Sequence, residues 1–393
     1  MKFDLPKSVR FILDRFNDAG YAAYVVGGPV RDLLRGVVPY DYDVTTNAKP
    51  NETKALFSDI RAIDTGIKHG TVTLVIDGAP YEVTTYRIDG EYLDARHPSD
   101  VEFTDKLELD LLRRDFTMNA IAYNPRVGLV DTTGGISDIE GKVIRCVGEA
   151  HLRFSEDALR ILRALRFSAT LGFEIEERTA EAIFALKSNL DLVSRERIYA
   201  ELRKMLAGNY LSSVVSAFLP VLFFIIPEWE SIKNLHTIKF TTDFTVNLIA
   251  LFALAGANGE AFAKRMRELR ADNATVNIGT AVLTALAKFS FDKKEELISL
   301  SLSLGAEQAR VACRVAIATG VADKSAHDIL EEILSKTPIT LKQLNISGDD
   351  LVTLGYRGAE IKKTLNALLS EVAFGRIENE KKSLLKVARE SKK

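Results

Sequence analysis

VGGPVRD at residues 26–32, followed by DYD at residues 41–43, decides how the first part of the chain is interpreted. A strand pattern precedes the paired glycines and a helix pattern follows them, which leaves backbone N–H groups free to approach an anion. Asp41 and Asp43 stand two residues apart in a predicted strand, so both carboxylates leave the same face. Such a pair suits two Mg²⁺ ions roughly 4 Å apart, and Glu82, on a neighbouring predicted strand, is the candidate third acid.

The same residues also have a simpler interpretation, in which the Asp-x-Asp triplet is a surface turn and the glycines form a tight loop. An Asp-x-Asp triplet alone is common in proteins and does not decide between the two. Paired glycines, Arg31-Asp32 and Asp-x-Asp within 17 residues form a much rarer combination. The combination therefore favours the metal site.

The 393 residues are too many for one hydrophobic core, so two to four domains are expected. Short β-rich runs fill the chain up to about residue 147, and helical periods take over after it. We predict strands at 24–26, 41–44, 71–76 and 81–86, and helices at 6–19, 29–35, 51–57, 155–171, 176–187, 194–207, 243–255 and 275–288. The pattern predicts an α+β protein with a small mixed α/β head and an all-helical extension.

Composition limits the kinds of site and partner. The two cysteines, Cys146 and Cys313, exclude a disulfide framework and a cysteine-rich zinc site, and they indicate a reducing compartment such as the cytoplasm. A net charge of −2 means that a nucleic acid would have to be held by local basic patches. No charged-then-apolar leader opens the chain, and the apolar stretch 214–226 is shorter than the roughly 20 residues of a spanning helix, so we expect no membrane partner.

LRRDFTMNA at residues 112–120 places two arginines before an aspartate, with an asparagine four residues beyond it. Guanidinium groups carry a fixed charge that suits phosphate, and the short polar groups of Asp115 and Asn119 suit a sugar. The alternative is a helix start that Asp115 caps while both arginines are merely solvated. Spacing alone leaves these two interpretations open.

FSEDALRILRALRF at residues 154–167 predicts a strong helix with Ser155 as its N-cap. Asp157, Arg160 and Arg163 recur every three residues and share one face, which is equally typical of a surface ion pair on an amphipathic helix. However, an aspartate offers only acceptors and an arginine only donors. Such a pair matches the amino donor and ring-nitrogen acceptor of cytosine and adenine, whereas uracil and guanine would be mismatched at a cost of about 1–3 kcal/mol.

In these motifs the chain resembles the class II nucleotidyltransferases of the polymerase β superfamily, which include bacterial CCA-adding enzymes and poly(A) polymerases. The resemblance is close over residues 20–205 and moderate over 340–390, and it departs from the family at Tyr40, where a basic residue is common. It implies a polymerase β-like nucleotidyltransferase head at 1–147, followed by an all-helical neck at 148–207, body at 208–320 and tail at 321–393.

The resemblance also implies a role for each motif residue. It makes Asp41 and Asp43 the catalytic residues that hold Mg²⁺, and it makes Asp157 and Arg160 the pair that reads the incoming base. The residues implied to bind the nucleotide are Gly28, Arg31, Arg114, Asp115, Asn119, Asp157, Arg160 and Arg163. In the segment SRERIYAEL at 194–202, Glu196, Arg197 and Glu201 are expected to be mostly structural.

IDGEYLDARHP at residues 88–98 is polar and contains a glycine, so by composition alone it is a passive connector. It resembles the flexible loop of CCA-adding enzymes, which is implicated in the switch from C to A addition. The loop residues implied in this way are Asp89, Asp94 and Arg96, although His97 stands where the family often has a second arginine. The presence of the loop argues against an enzyme that adds only C.

The implied function is template-independent addition of C, C and A to the 3′ end of tRNA, from CTP and ATP, with release of pyrophosphate. The tail is expected to bind tRNA, and basic residues at 381–393 could contact its phosphates. The alternatives are an A-adding tRNA nucleotidyltransferase and a bacterial poly(A) polymerase, which typically carries a basic extension that this chain lacks. His327-Asp328 has no histidine nearby to complete a metal site and is expected to lie on a surface helix.

Overall fold

The computed structural model describes residues 2–89 and 101–392. The chain divides into two compact units, residues 1–214 and 215–393. The first unit contains a mixed α/β head, and the described residues of the second contain helices and connecting segments but no strand. This agrees with the α+β class expected from the sequence.

The strands all belong to the first unit. They are β1 (Ala23–Val26), β2 (Val44–Thr46), β3 (Arg61–Gly66), β4 (Thr71–Ile76), β5 (Ala79–Thr85), β6 (Arg87–Asp89), β7 (Val101–Phe103), β8 (Ile121–Asn124), β9 (Gly128–Asp131), β10 (Val143–Ile144) and β11 (Glu174–Ile175). Seven of the described strands form one sheet in the order β3-β4-β5-β2-β1-β8-β9. Most neighbours are antiparallel, but β2 and β5 run parallel.

Local sequence explains the best-defined hairpin of this sheet. Asp77 and Gly78 both have positive φ angles, 52° and 80°, and they connect Ile76 to its partner Ala79. Two left-handed residues form the tight turn whose twist matches that of the strands it joins. Alternating apolar residues then place Val72 and Leu74 in the core.

The helices of the first unit support the sheet and continue beyond it. They are α1 (Lys7–Asp18), α2 (Gly28–Leu34), α3 (Pro50–Leu56), α4 (Leu107–Leu112), α5 (Gly135–Glu140), α6 (Ala150–Glu156), α7 (Leu159–Leu171), α8 (Glu177–Leu186) and α9 (Arg195–Leu206). A cluster of buried side chains joins β1, α4 and β8 beneath the predicted nucleotide motifs: Val26, Tyr86, Leu107, Leu111, Ala120, Ala122 and Val147.

The helix α10 (Leu211–Ile225) crosses the division between the units, and the remaining helices belong to the second unit. They are α11 (Phe244–Leu254), α12 (Gly259–Glu268), α13 (Asn273–Lys288), α14 (Lys294–Leu304), α15 (Ala306–Ala318), α16 (Ser325–Lys336), α17 (Gly348–Thr353), α18 (Ala359–Ala373) and α19 (Lys381–Ser391). Near the C-terminus, Leu351, Tyr356 and Leu384 belong to one buried cluster. Pro220 lies inside α10, which is kinked at Phe218.

Two predicted elements are wrong in their bounds. The strand predicted at 41–44 begins only at Val44, so Asp41 and Asp43 precede β2. The helix predicted at 155–171 is two helices, α6 and α7, and Ser155 lies inside α6, where its hydroxyl donates to the carbonyl of His151. Ser155 is therefore not the N-cap.

Both cysteines are buried free thiols, Cys146 in the first unit and Cys313 in the second. Burial raises the pKa of Cys146 to about 12 and that of Cys313 to about 11. None of the helices in the described residues is long and apolar enough to cross a membrane.

Candidate active site

The two aspartates of the predicted metal site precede β2, the central strand of the seven-stranded sheet. Val44 is the partner of Val83 in the parallel pairing of β2 with β5, so the register continued back by one residue places Asp43 beside Glu82. On the other side, the amide of Val26 donates to the carbonyl oxygen of Asp43. Asp43 thus sits between β5 and β1, although it is not itself a strand residue.

Asp43 has an unusual charge environment. Its side chain retains solvent access, yet the surrounding protein desolvates the carboxyl enough to raise its pKa to about 6, with repulsion from Asp41 and Glu82 adding to the effect. The guanidinium of Arg114 opposes this increase. The three carboxyl groups are therefore close enough to interact, and a cation is the natural partner for them.

The donor set fits Mg²⁺ better than an ion that needs a complete protein cage. Within residues 2–89 and 101–392, no group of three or more acidic, histidine or cysteine side chains is arranged to hold a metal. Mg²⁺ keeps several waters and is commonly bound by one or two carboxylates together with substrate phosphates. Asp41 and Asp43 suit that arrangement, whereas Glu82 lies beside them without completing a three-ligand cluster.

The paired glycines make room for an arginine of the second motif. Gly27 has a φ of 81° and precedes α2, and a Cβ atom at this position would lie 3.3 Å from Nη1 of Arg114. Any other residue would be strained there and would crowd the guanidinium. Gly28 begins α2 and lies next to Arg31, whose Nη2 would be 3.7 Å from an added Cβ.

A buried aspartate that sequence reasoning missed holds both arginines of the second motif. Asp110, on α4, has no exposed side-chain surface and accepts from Nε of Arg113 at 2.9 Å and from Nη2 of Arg114 at 3.1 Å. Burial alone would raise the pKa of Asp110, but the two guanidinium charges outweigh it and lower the pKa. Asp110 precedes the recognised motif by only two residues, yet nothing in its spacing marks it.

Arg114 keeps part of its guanidinium available. Its Nη2 is bound to Asp110, while its Nε is buried and has no hydrogen-bond partner within the described chain. A buried donor without a partner is costly, which is a reason to expect an acceptor from outside the chain. The attraction between Arg114 and Asp43 places this donor near the predicted metal site.

Asp115 and Asn119 connect the first motif to the helix α7. Asn119 accepts from Nη1 of Arg31 at 2.9 Å and donates to Asp115 at 3.1 Å. The other oxygen of Asp115 accepts from Nε of Arg163 at 2.8 Å. Three predicted nucleotide-binding segments are thus joined by one continuous hydrogen-bond network, which fixes the orientation of its members.

The short helix α5 supports this network from behind. Asp131 accepts from the amides of Gly135 and Ile136, which satisfies the start of α5. A Cβ at position 135 would lie 2.1 Å from the carbonyl oxygen of Thr117, in the turn that carries Asn119. Gly135 is therefore needed for close backbone approach, not for its flexibility.

The predicted base-reading residues are both engaged, and the amide of Arg160 donates to the carbonyl oxygen of Asp157 at 3.0 Å. Asp157 accepts from the amide of Leu159 at 3.1 Å and from Nη2 of Arg197 at 2.8 Å. Arg160 donates to Glu156 at 2.7 Å and to the carbonyl oxygen of Arg113 at 3.0 Å. Asp157 lies between α6 and α7 and its carboxylate accepts from the first residue of α7, so it does not lie on the face that carries Arg160 and Arg163.

Arg197 is the second residue whose contact the sequence did not reveal. One of its nitrogens binds Asp157, and its Nη1 is buried with no partner in the part of the chain that the structure describes. Its place in the segment at 194–202 marked Arg197 as structural. The sequence could not show its partner, which is 40 residues away. Of the predicted loop residues, Asp89 ends β6 opposite Val101, while Asp94 and Arg96 lie outside the described residues.

Comparison with known protein families gives three matches along the chain. The Poly A polymerase head domain matches residues 23–145. The RNA and SrmB-binding site of polymerase A matches residues 172–217, and tRNA nucleotidyltransferase domain 2 matches residues 240–388. The first of these contains the carboxylates at 41 and 43 and the arginine motif.

Individual relatives match over nearly their whole length. The CCA-adding enzyme of Geobacillus thermodenitrificans is 36% identical over 392 residues, which span 95% of this chain and 94% of the relative. The CCA-adding enzyme of Streptococcus thermophilus is 33% identical over 394 residues, with 95% and 94% covered. The crystal structure of the Bacillus stearothermophilus CCA-adding enzyme in complex with CTP superposes with a TM-score of 0.84 at 32% identity, covering 98% of this chain and 96% of that one. The chain therefore belongs to the family of CCA-adding enzymes, nucleotidyltransferases of the polymerase β superfamily.

Proposed function

We propose that this chain adds C, C and A in turn to the 3′ end of tRNA, using CTP and ATP and releasing pyrophosphate. The observation that carries the proposal is that Asp41 and Asp43 lie close to Arg114. The buried Nε of Arg114 has no hydrogen-bond acceptor within the described residues. Negative carboxylates for a metal and, for phosphate, a guanidinium whose Nε lacks a partner among those residues are the two halves of a triphosphate site. The family to which the chain belongs supports the same activity.

Family membership implies a divalent metal, and we infer that it is Mg²⁺ held by Asp41 and Asp43. When bound, such ions activate the attacking hydroxyl and neutralise charge that develops on the phosphates. Arg114, held by Asp110, supplies a fixed positive charge to the triphosphate. Asp115 and Asn119 hold Arg31 and Arg163 in place around the same nucleotide. The contribution of these residues to rate is positioning and charge stabilisation.

Base selection follows from the donors and acceptors of two residues. Asp157 presents acceptors and Arg160 presents donors, and both are held by protein partners before a base arrives. Cytosine and adenine match that pair through an amino donor and a ring-nitrogen acceptor. Uracil and guanine would place a carbonyl against the carboxylate, which disfavours them by about 1–3 kcal/mol.

The tRNA partner requires a local basic surface because the net charge of the chain is −2. Lys382, Lys386 and Arg389 are exposed on α19 and recur at helical spacing, so they share one face. We propose that this face contacts tRNA phosphates. From such a substrate and two free thiols we propose that the protein works in the cytoplasm.

Extension of a tRNA that lacks CCA, followed at single-nucleotide resolution, tests the proposal. We expect two additions with CTP alone and a third only when ATP is also present. Addition of A only to a tRNA already ending in CC would instead establish an A-adding enzyme. A long A ladder on any RNA would establish a poly(A) polymerase.

The metal assignment has its own test. Asp41→Ala and Asp43→Ala are expected to lower turnover about a thousandfold or more, since metal activation supplies several kcal/mol. Binding of tRNA, measured by filter retention, should survive. Asp64→Ala, which removes an exposed carboxylate bound to Lys54, is the control and should retain full turnover. Normal turnover in both Asp41 and Asp43 variants would refute the assignment.

A further inference from the structure

Three arginine side chains converge on one buried phenyl ring. Phe167, on α7, is 5% exposed, and the guanidinium carbon of Arg166 lies 3.8 Å from its ring centroid. Those of Arg31 and Arg163 lie 5.2 Å and 5.5 Å away. Significant contacts of this kind occur about once per 70–80 residues, so three on one ring exceed what chance packing supplies.

Arg163 and Arg166 lie one turn apart on α7 and Arg31 lies on α2, and each of the three has its own carboxylate. Arg31 on α2 is bound to Asp32 at 2.9 Å, and Arg166 is bound to Glu201 of α9 at 2.6 Å. Arg163 is bound to Asp115, as described above. The carboxylates fix one edge of each guanidinium, and the aromatic face is what the three groups share. Without the aromatic ring, each guanidinium would instead be next to water or to the other positive charges.

The remaining contacts of Phe167 are ordinary packing. Its ring meets that of Phe116 edge to face, with centroids 5.8 Å apart. A bulky aliphatic side chain could replace that contact at modest cost. It could not replace the attraction between a guanidinium and a π face. The two contributions can therefore be separated by substitution.

We propose that Phe167 is a positioning residue for the triphosphate, because its ring holds Arg31 and Arg163 in the orientation that the phosphates require. This inference rests on the proposed function, in which both arginines serve the nucleotide. Phe167 itself contacts no reacting group. Its effect is expected on nucleotide binding, not on base selection or on the tRNA.

The test compares Phe167→Leu with Phe167→Tyr in the full chain. We expect the leucine variant to raise KM for CTP and for ATP about tenfold, the size expected for two lost contacts of this class. Its kcat at saturating nucleotide and its KM for tRNA should stay within about threefold. The tyrosine variant keeps the π face and should recover most of the nucleotide KM. If the leucine variant is too unstable to purify, Phe167→Met takes its place.

Phe57→Leu is the matched control. Phe57 is fully buried and also lies under an arginine, with Arg15 5.0 Å from its centroid, but this pair is outside the site. Its KM for CTP should equal that of the unaltered chain. Equal nucleotide KM values in Phe167→Leu and Phe57→Leu would overturn the inference, and so would failure of tyrosine to rescue.

Inorganic tripolyphosphate, used as a competitive inhibitor against CTP, shows which part of the nucleotide is affected. We expect its inhibition constant to rise in Phe167→Leu by the same factor as KM for CTP. An unchanged inhibition constant would overturn the inference. Failure of the proposed function is distinguishable, because the unaltered chain would then not add C, C and A to tRNA.

Discussion

Asp110 is the residue on which Arg113 and Arg114 both depend, since its fully buried carboxylate accepts from each. We predict that Asp110→Asn lowers the free energy of unfolding by about 3 kcal/mol, because both ion pairs of the buried carboxylate are broken and the guanidinium groups remain. KM for CTP should rise as Arg114 loses its orientation. Urea denaturation and steady-state kinetics measure the two effects.

Asp59→Asn provides the comparison for that variant. Asp59 binds Arg15 at 2.6 Å, but the Asp59 side chain is exposed and that of Arg15 is only half-buried. Exposed pairs of this kind contribute little. The urea midpoint and the KM of Asp59→Asn should therefore match those of the unaltered chain. Equal midpoints for the two variants would contradict the role given to Asp110.

Asp115 predicts a specific dependence of stability on pH. Burial alone would raise its pKa, but the charge of Arg163 and hydrogen bonds from Asn119 and Arg163 hold it at about 2, against an ordinary value of 3.8. The folded pKa lies below the unfolded one, so the contribution is complete above about pH 4 and is lost as pH falls towards 2. A shift of roughly two units corresponds to about 2–3 kcal/mol.

Urea unfolding of the unaltered chain and of Asp115→Asn, followed by circular dichroism, measures this contribution. At pH 6 the unaltered chain should be the more stable, by an amount of that order. The difference should shrink by at least half at pH 2.5. A difference that stays constant with pH would mean that the pKa of Asp115 is not lowered in the folded chain.

At the scale of elements, α5 must approach the turn that carries Asn119 closely, and Gly135 permits it. Gly135→Ala would place a Cβ 2.1 Å from the carbonyl oxygen of Thr117. We predict a loss of about 1–3 kcal/mol in stability, as for other overpacked sites, together with a raised KM for CTP. Thermal unfolding and nucleotide kinetics test both.

Gly20→Ala separates close approach from backbone strain. Gly20 has a φ of 83°, but an added Cβ would meet nothing within 4 Å. Its substitution should cost only the strain of the left-handed conformation, about 1–2 kcal/mol, and leave KM unchanged. If Gly135→Ala also leaves KM for CTP unchanged, close approach at this glycine is not required and α5 does not position the nucleotide site.

Periodicity located most helices to within a few residues but could not find the break at Asp157. The pattern over 155–171 is helical throughout, and a continuous helix was the natural prediction. At the break, the carboxylate of Asp157 accepts from the amide of Leu159 and also binds Arg197. The contact with Arg197 joins residues 40 apart in sequence. Local propensity carries no information about a partner at that distance.

The site was predictable to a similar degree. Motif resemblance located the metal-binding aspartates and the arginines around the nucleotide, because those residue types recur at fixed spacing. Asp110, Arg197 and Phe167 were missed as partners, since each acts through a contact between elements that only the fold brings together. The metal and nucleotide roles themselves stay predictions until they are measured.

At the scale of the whole molecule, the chain forms two compact units that meet in sequence at residue 214. The predicted head and neck both fall inside the first unit, and the tail falls inside the second. The boundaries at 147 and 320 are thus not divisions between compact units, and the four-part division stays a prediction. Spacing in sequence indicates where element type changes, whereas compactness depends on packing between elements.

The two buried thiols, one in each unit, can report how often each unit opens locally. Because Cys146 and Cys313 have raised pKa values, the reactive thiolate forms only when the surrounding core opens. Alkylation by iodoacetamide, with the two peptides resolved by mass spectrometry, therefore reports how often each unit opens locally. CTP should slow modification of Cys146 more than that of Cys313, since the residues predicted to bind the nucleotide belong to the same unit as Cys146. Equal protection of both would mean that a bound nucleotide tightens the second unit as strongly as the first.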